Sequence, residues 1–332
     1  MQTPTFADVL DAAERLKGWA LETPLLHSEA LDEIAGGRLY IKAEPLQRTG
    51  SFKFRGAFNR ISRLDEAQKR AGVVAYSSGN HAQGVAEAAR LLGAPAAIVM
   101  PTDTPAVKIE ATRASGAEIV LYDRYTEVRE QIAADLARTR GATLVPPYED
   151  RFIIAGQGTL GLEAARQLEA IGETADVLVC PAGGGGLIAG VGLAFEALSP
   201  ATVIYAAEPE GFDDHRRSLL AGERVGNAPG AKTICDALMA PTPGELTFSL
   251  NRKKLAGGVA VDDATVLKAL GLAFRHLRLV LEPGGACALA ALLGRRLDLG
   301  GLGAGLGGRT ALAVASGGNV DPELFAGALL GR

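Results

Sequence analysis

The chain has 332 residues, with Lys+Arg 34 against Asp+Glu 38 and a net charge of −4. That length holds one large or two ordinary domains with real cores, and interspersed charge at near balance excludes a polybasic nucleic-acid surface or an anchor for anionic membranes. Aromatic residues at 5% also argue against platforms for stacking bases.

The opening MQTPTFADVLDAAERLKGWA reads as an amphipathic helix carrying acids, not as a signal peptide, and no apolar run reaches the length of a membrane span. Cys180, Cys235 and Cys287 are far apart and odd in number, with no CxxC pair. Neither structural zinc nor a disulfide framework is expected from them; each should fill a small apolar space. The expectation is a soluble cytoplasmic protein with reduced thiols.

Short β-branched runs then alternate with segments of helical spacing. RLYIKAE (38–44), GVVAYSS (72–78), AAIVMP (96–101), AEIVLYD (117–123), DVLVCPA (176–182), TVIYAAEP (202–209) and TALAVAS (310–316) read as strands. HAQGVAEAARLLG, TPAVKIEATRASG, YTEVREQIAADLARTRG and DATVLKALGLAFRHL read as helices between them. Short apolar strands alternating with helices imply parallel sheet covered on both faces, the α/β class, here in two lobes. GGLGAGLGG at 300–308 reads as a flexible turn before the last strand, and no internal repeat stands out.

Four stretches carry chemistry. In SFKFRGA (51–57), Lys53 stands between two phenylalanines, which admits an exposed lysine on a short helix or an amine held where its charge is poorly solvated. In SSGNHAQG (77–84), Ser77, Ser78 and Asn80 cluster at a strand end and helix start. Each alone suits an N-cap; together they make a donor cluster for a carboxylate or phenolic oxygen. In VLVCPAGGGGLIAG, a strand runs into Gly183, Gly184, Gly185 and Gly186 and then a helix. A tight turn needs one or two glycines, whereas four bare N–H groups at a helix start make a nest for a phosphate dianion. GQGTLG (156–161) formally matches GxGxxG but lacks the acidic residue that would hold a ribose, so nicotinamide binding is not expected there, and no GxxxxGK[ST] occurs.

SFKFRGA, SSGNHAQG, PAGGGGLIAG and ASGGNVD, in that order and spacing, resemble the threonine/serine dehydratase and serine racemase family of pyridoxal-phosphate enzymes. The resemblance covers about residue 15 to the C-terminus, without the regulatory C-terminal domain of biosynthetic threonine deaminases. It implies the tryptophan-synthase-β-like fold (fold type II): two open, twisted, mostly parallel sheets flanked by helices, with the cofactor in the cleft between a large domain (1–48 and 147–332) and a small one (49–146). It implies that Lys53 bonds covalently to the cofactor, that Phe52 packs against it, and that Asn80 bonds its 3-hydroxyl. The four glycines hold its phosphate, Ser316 faces the pyridine nitrogen, and Glu282 lies near the ring. Ser78 stands as an acid/base opposite Lys53, and Ser77, Ser78, Asn80 and His81 contact substrate. AAEPEGFDD resembles the family's divalent-cation site, with Glu208, Asp214 and the Phe212 carbonyl as oxygen ligands for magnesium, calcium or manganese. Ala237 departs from the glycine that racemase-like members often carry.

An imine-forming lysine must be neutral, so apolar neighbours such as Phe52 and Phe54 would serve by lowering its pKa. A hydroxyl at Ser316 cannot keep the pyridine nitrogen protonated, which favours β-elimination over a long-lived carbanion. The resemblance thus implies an ammonia-lyase acting on L-threonine or L-serine, as a homodimer. 3-Hydroxyaspartate dehydration and serine racemisation are alternatives on the same fold, and a non-catalytic cofactor carrier is the alternative of a different class. Hydroxyaspartate would need an extra cation, for which Arg124 and Arg151 are the candidates. Lys42 reads as structural.

Overall fold

The computed structural model describes residues 2–104, 106–295 and 305–331. Its strands are β1 (Leu25–His27), β2 (Arg38–Ala43), β3 (Val73–Tyr76), β4 (Ala96–Pro101), β5 (Glu118–Tyr122), β6 (Thr143–Leu144), β7 (Val177–Pro181), β8 (Val203–Pro209), β9 (Gly257–Val261) and β10 (Thr310–Ala315). They form a six-stranded sheet in the order β1-β2-β10-β7-β8-β9 and a four-stranded sheet in the order β5-β4-β3-β6. All pairings are parallel except β1 with β2. The seven strands expected from β-branched runs are present. The short β1 and β6 and the glycine-led β9 gave no such run. Of the glycine-rich stretch at 300–308, residues 300–304 lie outside the described residues.

Both faces of the large sheet are buried, and the two-residue period of a strand divides its side chains between them. Leu39, Ile41, Val177, Val179, Ala311 and Ala313 pack under the helix Pro283–Leu293. Tyr40, Leu178, Cys180, Leu312 and Val314 pack under the helices Arg151–Ala170 and Gly186–Leu198. This is why these strands read as continuous apolar runs, without an alternating pattern.

GQGTLG is not a loop. It lies inside the helix Arg151–Ala170, where its glycines permit close helix contact. A Cβ at Gly156 would sit 2.7 Å from the Arg55 carbonyl, and one at Gly158 would sit 2.8 Å from the Gly190 carbonyl. The helix Lys53–Ile61 therefore seats directly on this long helix. A buried ionic cluster fixes it there: Arg55 donates to both oxygens of Glu44 at 2.8 Å and to Glu163, which also accepts from Lys42 at 2.7 Å.

Strand order places the functional cleft. The four-stranded sheet grows from β3 through β4 to β5, then returns to add β6 on the other side of β3. The six-stranded sheet grows from β7 to β9, then returns to add β10 beside β7. Ligands bind at the carboxyl ends of strands where such order reverses. Those ends are Ser77 after β3, the tetraglycine after β7 and Ser316 after β10, and all three line one cleft.

Candidate active site

Lys53 opens the helix Lys53–Ile61, and the backbone before it is tied to β10: the Phe52 N–H donates to the Ser316 carbonyl at 3.1 Å, and Ser51 bridges Gly317. Lys53 Nζ donates to the Pro147 carbonyl at 3.0 Å. Burial lowers its pKa to about 8, against an opposing pull from Glu282. The two phenylalanines do not flank it as the sequence suggested. Phe54 is fully buried in the core, 5.5 Å from the Phe58 ring. Phe52 presents its ring 5.1 Å from Nζ, and a ring face favours a cation. The depressed pKa comes from removal of water by burial.

Among the helix N-termini that open on the cleft without a side-chain cap are those of Asn80–Leu91, Gly186–Leu198 and Pro283–Leu293. Uncapped first-turn N–H groups attract anions. At the second of them, Gly185 has φ +89, a left-handed conformation that suits glycine. The Gly184 carbonyl is turned out of the nest by the Thr247 hydroxyl at 2.6 Å and the Gly244 N–H at 3.2 Å. A Cβ at Gly184 would lie 2.2 Å from the Tyr148 ring, and one at Gly185 would lie 2.5 Å from His215 Nε2. Only bare backbone fits there, so the cradle suits a phosphate held by N–H groups. Gly185→Ala is expected to weaken cofactor retention at least about tenfold and to lower Tm by a few degrees, the strain of a left-handed alanine being about 1 kcal/mol. Equilibrium dialysis of pyridoxal phosphate and a melting curve check it.

Opposite the cradle, Asn80 donates to Glu282 Oε1 at 2.5 Å and accepts from Asn319 at 2.7 Å, while Asn319 also donates to the Thr49 carbonyl at 2.7 Å. Asn319, quoted within SGGNVD but given no role, is the residue that orients Asn80. Burial pushes the Glu282 carboxyl up to about 8, so it holds its proton at neutral pH. Ser316 sits just after β10 on the cleft wall. Ser77 Oγ accepts from the Gly79 N–H at 3.2 Å, and Ser78 lines the cleft. His81 is buried with Nε2 bonded to the Val145 carbonyl at 2.9 Å. Burial, then Lys53, hold its pKa down at about 3, so the ring is neutral.

The acidic cluster lies apart from the cleft, behind the cradle. Glu208 is the penultimate residue of β8 and is fully buried; its two oxygens accept the N–H groups of His215 at 2.7 Å and Arg216 at 2.8 Å. Asp214 Oδ1 accepts from Asn227 at 2.8 Å, whereas Asp214 Oδ2 and His215 Nδ1 are buried with no partner. Burial and the Glu208 charge raise Asp214 to about 7. Two buried carboxylates with an orphaned oxygen fit a divalent cation. Beside the two carboxylates lies His215, which follows the stretch read as the cation site, with a ring nitrogen within 4.8 Å of their oxygens. Phe212 is buried beside them, its N–H bonded to the Pro209 carbonyl.

Of the two arginines suggested for a second substrate carboxylate, Arg151 lies away from the cleft, and Arg124 lines an adjoining pocket that shares Ser77, Ser78 and Arg129 with the cleft. Arg124 pairs with Asp103 at the surface, and Arg151 pairs with Asp8 at 2.6 Å. Arg129, at the start of the helix Arg129–Arg140, lines the cleft together with Ser77 and Ser78. Its guanidinium lies 5.5 Å from the Tyr76 ring centroid, and Nε donates to the exposed Glu130 at 2.8 Å. Strand ends and glycine nests are legible in sequence; an arginine brought in from a neighbouring helix is not.

Comparison with known proteins agrees with this geometry. The model of the pyridoxal-phosphate dependent enzyme family matches residues 17–317. L-threo-3-hydroxyaspartate ammonia-lyase of Pseudomonas sp is 46% identical over 331 residues, covering 100% of both chains. L-threonine ammonia-lyase of Thermotoga maritima is 39% identical over 97% of this chain and 77% of its own. The structure of maize serine racemase superposes with a TM-score of 0.91 at 36% identity, over 99% of this chain and 98% of that one. With its two mostly parallel sheets, and with amine and glycine cradle in one cleft, the chain belongs to the pyridoxal-phosphate-dependent enzymes of fold type II, and is an enzyme of the ammonia-lyase and racemase kind.

Proposed function

We propose that the enzyme removes water and then ammonia from β-hydroxy amino acids and prefers those with a second carboxylate, 3-hydroxyaspartate first among them. The observation that carries the preference is Arg129, a cation on the cleft wall whose present partner is an exposed glutamate. Ion pairs to exposed side chains are weak, so the guanidinium is available to a substrate carboxylate that can be gripped at two points. L-Threonine and L-serine undergo the same chemistry without this contact. The identity to the Pseudomonas hydroxyaspartate ammonia-lyase supports the same choice.

Bound in the cleft, pyridoxal phosphate supplies an electron sink that eases ionisation of the substrate Cα–H. The chain does the rest. The uncapped helix at Asn80, with Ser77 and Ser78, receives the α-carboxylate. Lys53, neutral for an appreciable fraction of the time near pH 8, accepts the α-proton. The Cβ–O bond breaks, hydroxide leaves with a proton as water, and the enamine hydrolyses to a 2-oxo acid and ammonia. Ser78 delivers a proton to the other face, which gives racemase side activity. Glu208 and Asp214, with the Phe212 carbonyl, would hold a divalent cation (magnesium, calcium or manganese) behind the cradle, where its charge would fix the two carboxylates.

The test is a panel of β-hydroxy amino acids assayed for 2-oxo acid release, with and without chelator. L-threo-3-hydroxyaspartate is expected to give the highest kcat/KM; serine or threonine in first place would remove the preference and leave the reaction class. Ser78→Ala is expected to depress turnover of D-substrates and racemisation more than elimination from L-substrates, and equal losses would take Ser78 off its assigned face.

A further inference from the structure

The acidic cluster and the glycine cradle share a wall, made of His215 and Asn251. The helix Asp214–Ala221 carries His215, and the helix Glu245–Lys254 carries Asn251; both side chains are fully buried. A Cβ at Gly185 would lie 2.5 Å from His215 Nε2 and 2.8 Å from Asn251 Nδ2, so both buttress the left-handed residue at the centre of the nest.

Hydrogen-bond logic orders this wall. The Gly185 carbonyl can only accept, so the Asn251 atom facing it at 3.3 Å is the donor Nδ2. The same Nδ2 lies 3.2 Å from His215 Nε2, which must then be the accepting nitrogen, and the ring proton sits on Nδ1. Nδ1 points at Glu208 Oε1 at 3.6 Å and Asp214 Oδ2 at 4.0 Å, too far for a bond to either. Nδ1 and Asp214 Oδ2 are both left without partners. The chain of contacts from the carboxylates through His215 and Asn251 to Gly185 is complete except at this gap.

We infer that His215 and Asn251 are positioning residues that couple occupancy of the Glu208–Asp214 site to the grip of the glycine nest on the cofactor phosphate, an inference that rests on the cation part of the function proposed above. A divalent ion draws both carboxylates into one fixed arrangement and so presents an oxygen to the His215 Nδ1–H, as partners outside a metal's own ligands commonly do. That bond holds the ring in the tautomer whose Nε2 accepts from Asn251. Asn251 then stays on the Gly185 carbonyl, which keeps that carbonyl turned away and the nest's N–H groups turned toward the phosphate. Without the ion the ring proton has no acceptor, and nothing fixes the buttress.

The test follows cofactor release from holoenzyme diluted into an aldehyde scavenger, with Mn2+ or with chelator, while calorimetry measures Mn2+ binding to the same holoenzyme. Wild type is expected to release cofactor about tenfold more slowly with Mn2+, within the ordinary range of couplings between sites. His215→Asn keeps a donor near the carboxylates but cannot reach Asn251, and Asn251→Ser removes the link at the other end. Both are expected to bind Mn2+ while its effect on release falls below about twofold. Should one variant fail to fold, the other carries the test. Mn2+ binding to wild type without slower release, or slowing that persists in the variants, overturns the coupling alone. No Mn2+ binding to wild type overturns the coupling and the cation site together.

Discussion

Lys53→Ala is expected to lower 2-oxo acid formation by at least about 10³-fold, the loss that follows removal of a covalent attachment point that also moves the α-proton, with a melting temperature at or above that of wild type. The fold should survive because the side chain is not part of the core. Its amine touches the Pro147 carbonyl and the face of Phe52, while Phe54, Phe58 and Ile61 on the same helix supply the packing. Burial lowers the lysine's pKa, meaning that the folded chain disfavours the charged form, so alanine removes an unfavourable charge at neutral pH. The same shift predicts a pH profile for cofactor capture. With a pKa of about 8, roughly one amine in ten is neutral at pH 7, against fewer than about one in a thousand for an ordinary lysine. The rate of covalent capture by stripped enzyme should rise with pH and level off just above pH 8. A rise continuing toward pH 10 would mean that Lys53 is solvated like a surface lysine, and the site assignment would fail with it.

The strands and the cleft could be read from sequence because both leave local marks. A strand buried on two faces must be apolar at nearly every position, as β7 and β10 are, and a phosphate nest needs consecutive residues without side chains. Short strands leave no such mark: β6 is two residues long, and β9 begins with two glycines. GQGTLG shows the opposite failure, a phosphate-loop pattern whose glycines serve helix packing inside Arg151–Ala170. Lys53 was found by its neighbours, yet those neighbours act differently from what the sequence suggested. Phe54 turns into the core, and the low pKa arises from three-dimensional closure, which adjacency along the chain does not report. Asn319 lay inside a stretch already singled out and His215 directly after one, but their roles depend on partners 239 and 36 residues away in sequence. Contacts of that span become visible only once the sheets have placed their strand ends together.

Arg129→Met should separate substrates more sharply than any other single change. Loss of a charge-assisted contact to a substrate carboxylate costs about 2–3 kcal/mol, so kcat/KM for 3-hydroxyaspartate should fall about 30- to 150-fold. Serine and threonine, which offer no second carboxylate, should change by less than about threefold. Among the described residues the cleft wall holds two other cations, and the adjoining pocket holds Arg124, which is paired with Asp103. Lys53 is committed to the chemistry, and Lys108 is paired with Asp236 at 2.8 Å, so neither is placed to substitute. Arg129→Lys should recover only part of the loss, because an ammonium cannot reproduce the two parallel donors or the stacking on Tyr76. Arg151→Ala is the control: its partner is Asp8, it lines neither the cleft nor the adjoining pocket, and no substrate should notice its removal. An equal loss for all substrates in Arg129→Met would show that the arginine only shapes the Ser77–Ser78 loop. A loss confined to 3-hydroxyaspartate would show that a second anionic group is read by charge at the mouth of the cleft, ahead of the chemistry that every β-hydroxy amino acid shares.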